Sequence, residues 1–263
     1  LRTMIALLYL KHAFNESDEG VVERWADSPR WQFFSGMAYF EDRVPCDATT
    51  LVKFRRLLGE EGVEELLAQT VNLAVSAKLI PAAALATVVV DSTVQEKAVA
   101  HPTDSRLLET ARAKLVDAAK SAGIELKQTF AKEGQHLSFK AGRYAHARQF
   151  KRMRSVIKRQ RTVVGRLVRD VERKAGVVGR AVLASLKEAL SKAQRIADQS
   201  RSRKNIDGVP KLYAWHAPEV ECISKGKARQ PYEFGVKVGI AMTLKHNLIV
   251  GAKAFAGNPF DGH

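Results

Sequence analysis

The stretch Ala86-Thr87-Val88-Val89-Val90-Asp91-Ser92-Thr93-Val94-Gln95-Glu96-Lys97 decides how the rest of the chain is read. Three consecutive β-branched residues between Pro81 and the polar Ser92-Thr93 have the length and composition of a strand covered on both faces, which predicts a buried strand with Asp91 at its carboxyl end. A carboxylate at that point is held by the sheet while its oxygens stay free for a hard cation. Asp is also a common residue for opening a turn or capping a helix, so on spacing alone both readings of Asp91 stand.

On the C-terminal side of this stretch, Thr103 or Asp104 caps a predicted helix through Leu107, Leu108, Ala111, Leu115 and the alanines to Ala122, with Gly123 as its stop. From Phe150 the positions Phe150, Met153, Ile157, Gln160, Val164, Leu167 and Val171 step by three and four, giving one apolar seam among Arg and Lys. After Gly176 and Gly179, the series Val182, Leu186, Leu190, Ala193 and Ala197 gives a second amphipathic helix. These two are expected to form an antiparallel hairpin packed along its own seam. From Lys211 the pattern changes to strands: Tyr232–Ala241 alternates apolar with small or polar residues, and Leu248–Phe255 follows after Lys245-His246-Asn247.

On the N-terminal side, residues 1 to about 80 read as a compact helical module. Leu1–Phe14 is one helix, Ser17 or Asp18 caps another carrying Val21, Val22 and Trp25, and Asp47 caps a third carrying Leu51, Phe54, Leu57 and Leu58. Turns are expected at Asp27-Ser28-Pro29 and Gly59-Glu60-Glu61-Gly62. Trp25, Trp31, Phe33, Phe34 and Phe40 are read first as its core and second as bases' stacking partners. A helix-turn-helix is compatible with the pattern.

Charge is distributed unevenly. The chain of 263 residues carries 43 Lys and Arg against 28 Asp and Glu, net +15. Between Ala141 and Lys204 stand 19 of those cations and only four acids (Asp170, Glu172, Glu188, Asp198), leaving 24 of each sign elsewhere. A basic segment on an otherwise neutral protein points to a polyanion, since each phosphate neutralised releases counterions; the plainer alternative is a solvated helix face. The residues expected to lie along DNA phosphates are Arg143, Arg148, Lys151, Arg152, Arg154, Lys158, Arg159, Arg166 and Arg173, joined by Lys225, Lys227 and Arg229 in the cationic loop Ser224–Arg229. That loop lacks the spacing of a P-loop. Hydrophobic residues at 46 % suffice for a real core, and the apolar opening Thr3–Leu10 is too short to span a bilayer, so no membrane association and a cytoplasmic location are expected. Cys46 and Cys222 match no metal or redox spacing and read as core thiols. His216, Glu219 and Cys222 repeat every three residues, but Pro218 opposes the helix that would align them.

Three blocks resemble the DDE-type transposases of bacterial insertion sequences, in the branch grouped under the fourth and fifth insertion-sequence families. They are VVDSTVQEKAVAHPTDSRLL from Val89, GRYAHARQFKRM from Gly142, and HAPEVECISKGKARQPYEFGVKV from His216 to Val238. The resemblance implies an α+β chain: an N-terminal helical module (1–80), which in that family accompanies recognition of the element's terminal repeats, then a partial RNase H-like catalytic domain (81–263). A long basic helical insertion (103–204) separates the first and second strands. It implies cleavage and strand transfer assisted by Mg2+ or Mn2+, with Asp91 as catalytic and metal-holding acid, element ends and target DNA as partners, and a homodimer as the active form. The motif Gly-Asn-Pro-aromatic-Asp-Gly-His recurs at Gly257–His263, where Asp261 is a weaker catalytic candidate. Asp261 follows the third strand, whereas the second acid of such a site belongs to the fourth, so Asp261 also reads as a cap or turn residue. The further Asp and final Glu are expected downstream of His263, with more chain on both sides, and the chain as given is expected to be inactive. Two rival readings are an RNase H-like nuclease without strand transfer and a non-catalytic DNA-binding protein derived from a transposase.

Overall fold

The computed structural model describes residues 1–177, 179–201, 209–224 and 231–259. The architecture is α+β, and contacts divide the chain into two compact units, Leu1–Val89 with Met242–Gly251 and Val90–Ala241 with Ala252–His263.

The first unit holds α1 (Arg2–Phe14), α2 (Asp18–Asp27), α3 (Pro29–Phe34) and α4 (Ala48–Ser76), of which α2 and α4 start at the expected caps. The Ser17 hydroxyl accepts the Gly20 N–H at 2.9 Å, and Asp47 accepts the Thr49 N–H at 2.8 Å. Each satisfies a donor that the helix itself leaves orphaned. Leu7, Val21, Trp25, Trp31 and Leu51 form the core, and the Trp25 indole donates to Ser35 Oγ at 2.8 Å. Gln32 is buried with its amide donating to the Glu41 carbonyl (2.6 Å) and accepting the Glu41 N–H (2.8 Å), which ties the following loop to α3. Asp18 joins three helices: Arg55 donates to both its oxygens at 2.6 Å and Lys11 to one at 2.9 Å. The Arg55 guanidinium, helped by Lys11, holds this carboxyl well below the usual carboxylate range.

Two expectations change here. Phe33, Phe34 and Phe40 are not core: they are 79 %, 52 % and 57 % exposed. With only six residues, α3 turns Trp31 and Gln32 inward and has no further inward position for its last two rings. The turn expected at Gly59–Gly62 is a kink instead. Gly59, at φ 63° and ψ −165°, bends α4, and the helix continues to Ser76.

The second unit holds α5 (Asp104–Ser121), α6 (Ala131–His146), α7 (Phe150–Lys174) and α8 (Arg180–Gln199). The expected two-helix hairpin is part of a four-helix bundle: α5 packs on both α7 and α8, and α6 lies mainly against α7. Leu108, Ala111 and Leu115 of α5, Val164, Leu167 and Val171 of α7, and Leu186, Ala193 and Ile196 of α8 share one core. Thr103 caps α5 as expected, accepting the Arg106 N–H at 3.3 Å. Neighbouring residues of α7 hold the chain where it enters and where it leaves the bundle, because the Gln160 amide donates to the Ser105 carbonyl and the Arg161 guanidinium to the Ser200 carbonyl, each at 3.2 Å. This places α7 and α8 antiparallel.

The strands are β1 (Val88–Glu96), β2 (Glu221–Ser224), β3 (Tyr232–Thr243) and β4 (Ile249–Phe255), in the order β1-β3-β2 with β4 also paired to β3. β2 runs antiparallel to β3 with Glu221 opposite Gly235 and Ser224 opposite Tyr232. The bundle is inserted between β1 and β2.

The first strand departs from expectation in two ways. Val88, Val89 and Val90 are 43 %, 42 % and 70 % exposed, and successive residues point to opposite faces, so neither face of β1 is covered there. Asp91 is the fourth of nine strand residues rather than the last, because Thr93 and Val94 sustain the extended run. In β3 the apolar Phe234, Val236, Val238 and Ile240 are only half-buried, while Glu233, Gly235, Lys237 and Gly239 between them are buried. A Cβ at Gly235 would stand 2.1 Å from the Gln95 carbonyl oxygen, so β1 approaches β3 as closely as it does only because residue 235 has no side chain.

Candidate nucleic-acid interface

The cationic face is built by the core beneath it. Gln160, Val163, Val164, Leu167, Val168, Asp170 and Val171 are the buried residues of α7. At 100° per residue, Lys151, Arg154, Lys158, Arg166, Arg169 and Arg173 then fall within about one third of the helix circumference on the opposite side. All six are exposed. At 1.5 Å rise per residue the row is about 33 Å long, close to one turn of B-DNA.

Lys151, Arg154, Lys158, Arg166 and Arg169 have no side-chain hydrogen bond or ion pair among the described residues. Other cations named from the sequence are engaged. Arg159 meets Glu133 at 2.6 Å, tying α6 to α7, and that carboxylate raises its pKa. Arg152 donates to Gln149 Oε1 at 3.0 Å. Arg173 pairs with Asp170 at 3.2 Å. Burial pushes Asp170 up, but the Lys127 N–H (3.4 Å), Lys174 (3.3 Å) and Arg173 together leave it below its ordinary pKa. Arg143 lies 5.8 Å over the Phe139 ring on α6, and Arg148 stands at φ 54° in the α6–α7 joint; both are exposed. Lys225, Lys227 and Arg229 lie outside the described residues. Arg169 belongs to the row and was not among the sequence candidates, although its steps of three from Arg166 and four to Arg173 carry the signal.

The acids are less convergent. Asp91 is exposed on β1, with Oδ1 accepting the Ser92 N–H at 2.8 Å, and Asp261 lies outside the described residues. Among the described residues, no group of three His, Cys, Asp or Glu is placed to hold a metal ion. Cys46 and Cys222 are half-buried free thiols, and burial pushes both up. No described helix is long and apolar enough to cross a membrane.

Residues 1–57 match a family described as a transposase domain (DUF772). A curated relative, the "Uncharacterized protein ORF8 in nfe locus" of Rhizobium meliloti, is 48 % identical over 149 residues, which is 57 % of this chain and 72 % of that protein. No solved structure matches. With a transposase domain at its N-terminus and that relative aligned over most of its length, the chain belongs to the bacterial insertion-sequence transposases.

Proposed function

We propose that this chain binds duplex DNA along the outer face of α7 as part of a DDE-type transposase, engaging element ends and target DNA, with a homodimer as the active assembly. The observation that carries the reading is the row of five unpaired cations on one face of α7, fixed outward by the bundle core. Lys and Arg that have no carboxylate partner among the described residues are free to neutralise phosphates. The insertion of the bundle between β1 and the β3–β4 hairpin, with β3 central between β1 and β4, supports an RNase H-like sheet. The affinity for a duplex of about 30 base pairs should fall with NaCl at a log–log slope of about −4 or steeper, some 0.9 per phosphate engaged by the row. A slope near zero sinks the reading.

For the catalytic part, the implied cofactor is Mg2+ or Mn2+. Asp91 is a hard oxygen donor of the right kind. The described residues bring no set of donors around it, so they do not by themselves fit a divalent cation. In a protein supplying the remaining acids, Asp91→Asn is expected to abolish divalent-cation-dependent DNA cleavage and leave duplex affinity within about twofold, because α7 is untouched. Cleavage that survives the substitution removes Asp91 from the site.

A further inference from the structure

The cationic row runs into a cleft of about 620 Å3 between the C-terminal half of α7 and the segment before α6. Its walls combine two chemistries. The side chains of Lys127, Arg166 and Arg169 line it without partners among the described residues, and Phe130 and Leu167 give it an apolar floor. Of its two acids, Asp170 is already engaged by Arg173 and Lys174, so positive charge prevails; Glu172 is the other. Phe130 stands at φ 52°, a conformation unfavourable for a bulky side chain, and it begins α6 without a side-chain cap. Such backbone persists only where the surroundings over-determine it. Here the ring packs against the bundle core, and the Lys127 N–H and the Glu125 carbonyl are tied to Asp170 and Lys174 of α7. The result is an aromatic ring held at the edge of a cationic track.

We infer that this cleft is a subsite for one unpaired nucleotide of single-stranded DNA, its phosphate on Lys127, Arg166 and Arg169 and its base against Phe130. The cleft has the volume range of small-ligand sites. Cations along the backbone with an aromatic platform beside them are what single strands require, and every base offers a face to the ring. A base inside a duplex has both faces covered by its neighbours, so the ring contributes to single-strand binding alone. The inference rests on the DNA-binding reading of α7, since Arg166 and Arg169 belong to both.

The test compares the affinity of the intact 263-residue chain for a labelled single strand of about 12 nucleotides and a labelled duplex of about 30 base pairs. Phe130→Leu retains apolar bulk and removes the ring. It should weaken single-strand binding about tenfold and leave duplex affinity within about twofold, whereas Phe130→Tyr retains both. Unchanged single-strand affinity in Phe130→Leu, with duplex binding intact, overturns the subsite while leaving the α7 reading standing. Absence of duplex binding in the unsubstituted chain overturns both. If Phe130→Leu lowers the thermal midpoint, Lys127→Gln is read in its place: a greater loss for the single strand supports the subsite, and equal losses overturn it.

Discussion

Replacing Arg154, Lys158, Arg166 and Arg169 together with Gln is expected to lower duplex affinity by on the order of a thousandfold at 0.1 M salt and to reduce the log–log salt slope by about 3.6. Each phosphate contact contributes about 0.9 to the slope, and the tenfold interval from 0.1 M to 1 M, where the electrostatic contribution vanishes, converts four contacts into three to four decades. The helix should survive, because all four side chains are exposed and Gln is a good helix former. The quartet Arg152, Arg159, Arg166 and Arg173, evenly spaced in the sequence, should do much less. Arg159 is committed to Glu133 and Arg173 to Asp170, and losing Arg159 loosens α6 rather than DNA. Fluorescence anisotropy across a salt series separates the two sets. Equal slopes for both quartets would show that the free row is not the contact surface.

The second large effect concerns the sheet. Gly235→Ala should destabilise the protein by about 3 kcal/mol, because the new methyl group would stand 2.1 Å from the Gln95 carbonyl oxygen, 2.8 Å from its carbon and 2.9 Å from Glu96 Cα. All three obstacles are backbone, so relief requires moving a strand rather than rotating a side chain. On its other side Gly235 pairs with Glu221 of β2, which limits retreat in that direction. The expected reading is a thermal midpoint lower by roughly 5–10 °C. An unchanged midpoint would mean that β1 and β3 are not paired at this position.

The helices were legible where short-range chemistry defines them. Ser17, Asp47 and Thr103 cap as their side chains dictate, and from Ile157 on the α7 seam follows from a step of three and four that no alternative element satisfies, whereas Phe150 at its expected start is 53 % exposed. Other features were hidden for identifiable reasons. α6 carries Gly134 and Gly142 inside its span and starts at Phe130 without a capping oxygen, so neither its interior nor its start announces a helix. β2 has four residues, too few for a period. The exposure of Val88–Val90 depends on which layers lie over a strand, and no local pattern encodes that. The cationic segment was legible as a whole, but which of its members are free depends on Glu133 and Asp170. Glu133 meets Arg159 only through the packing of α6 on α7, whereas Asp170 meets Arg173 three residues on along the same helix, a pairing that the spacing itself carries.

The grip of Gln160 and Arg161 on Ser105 and Ser200 has a consequence for how the chain closes on itself. Between Glu96 and Gly235, which belong to paired strands, lie 138 residues, and the entropy of joining the ends of an unstructured loop grows as about (3/2)RT ln n. Once the bundle has formed, residues 105 and 200 are held by adjacent side chains, and the Gln199 amide draws the returning chain in at Leu212. The free path then shrinks to the short segments on either side, lowering the closure cost by about 1 kcal/mol. The insertion therefore serves as a splint, and a lesion in the bundle core is felt at a strand pair whose residues it never touches.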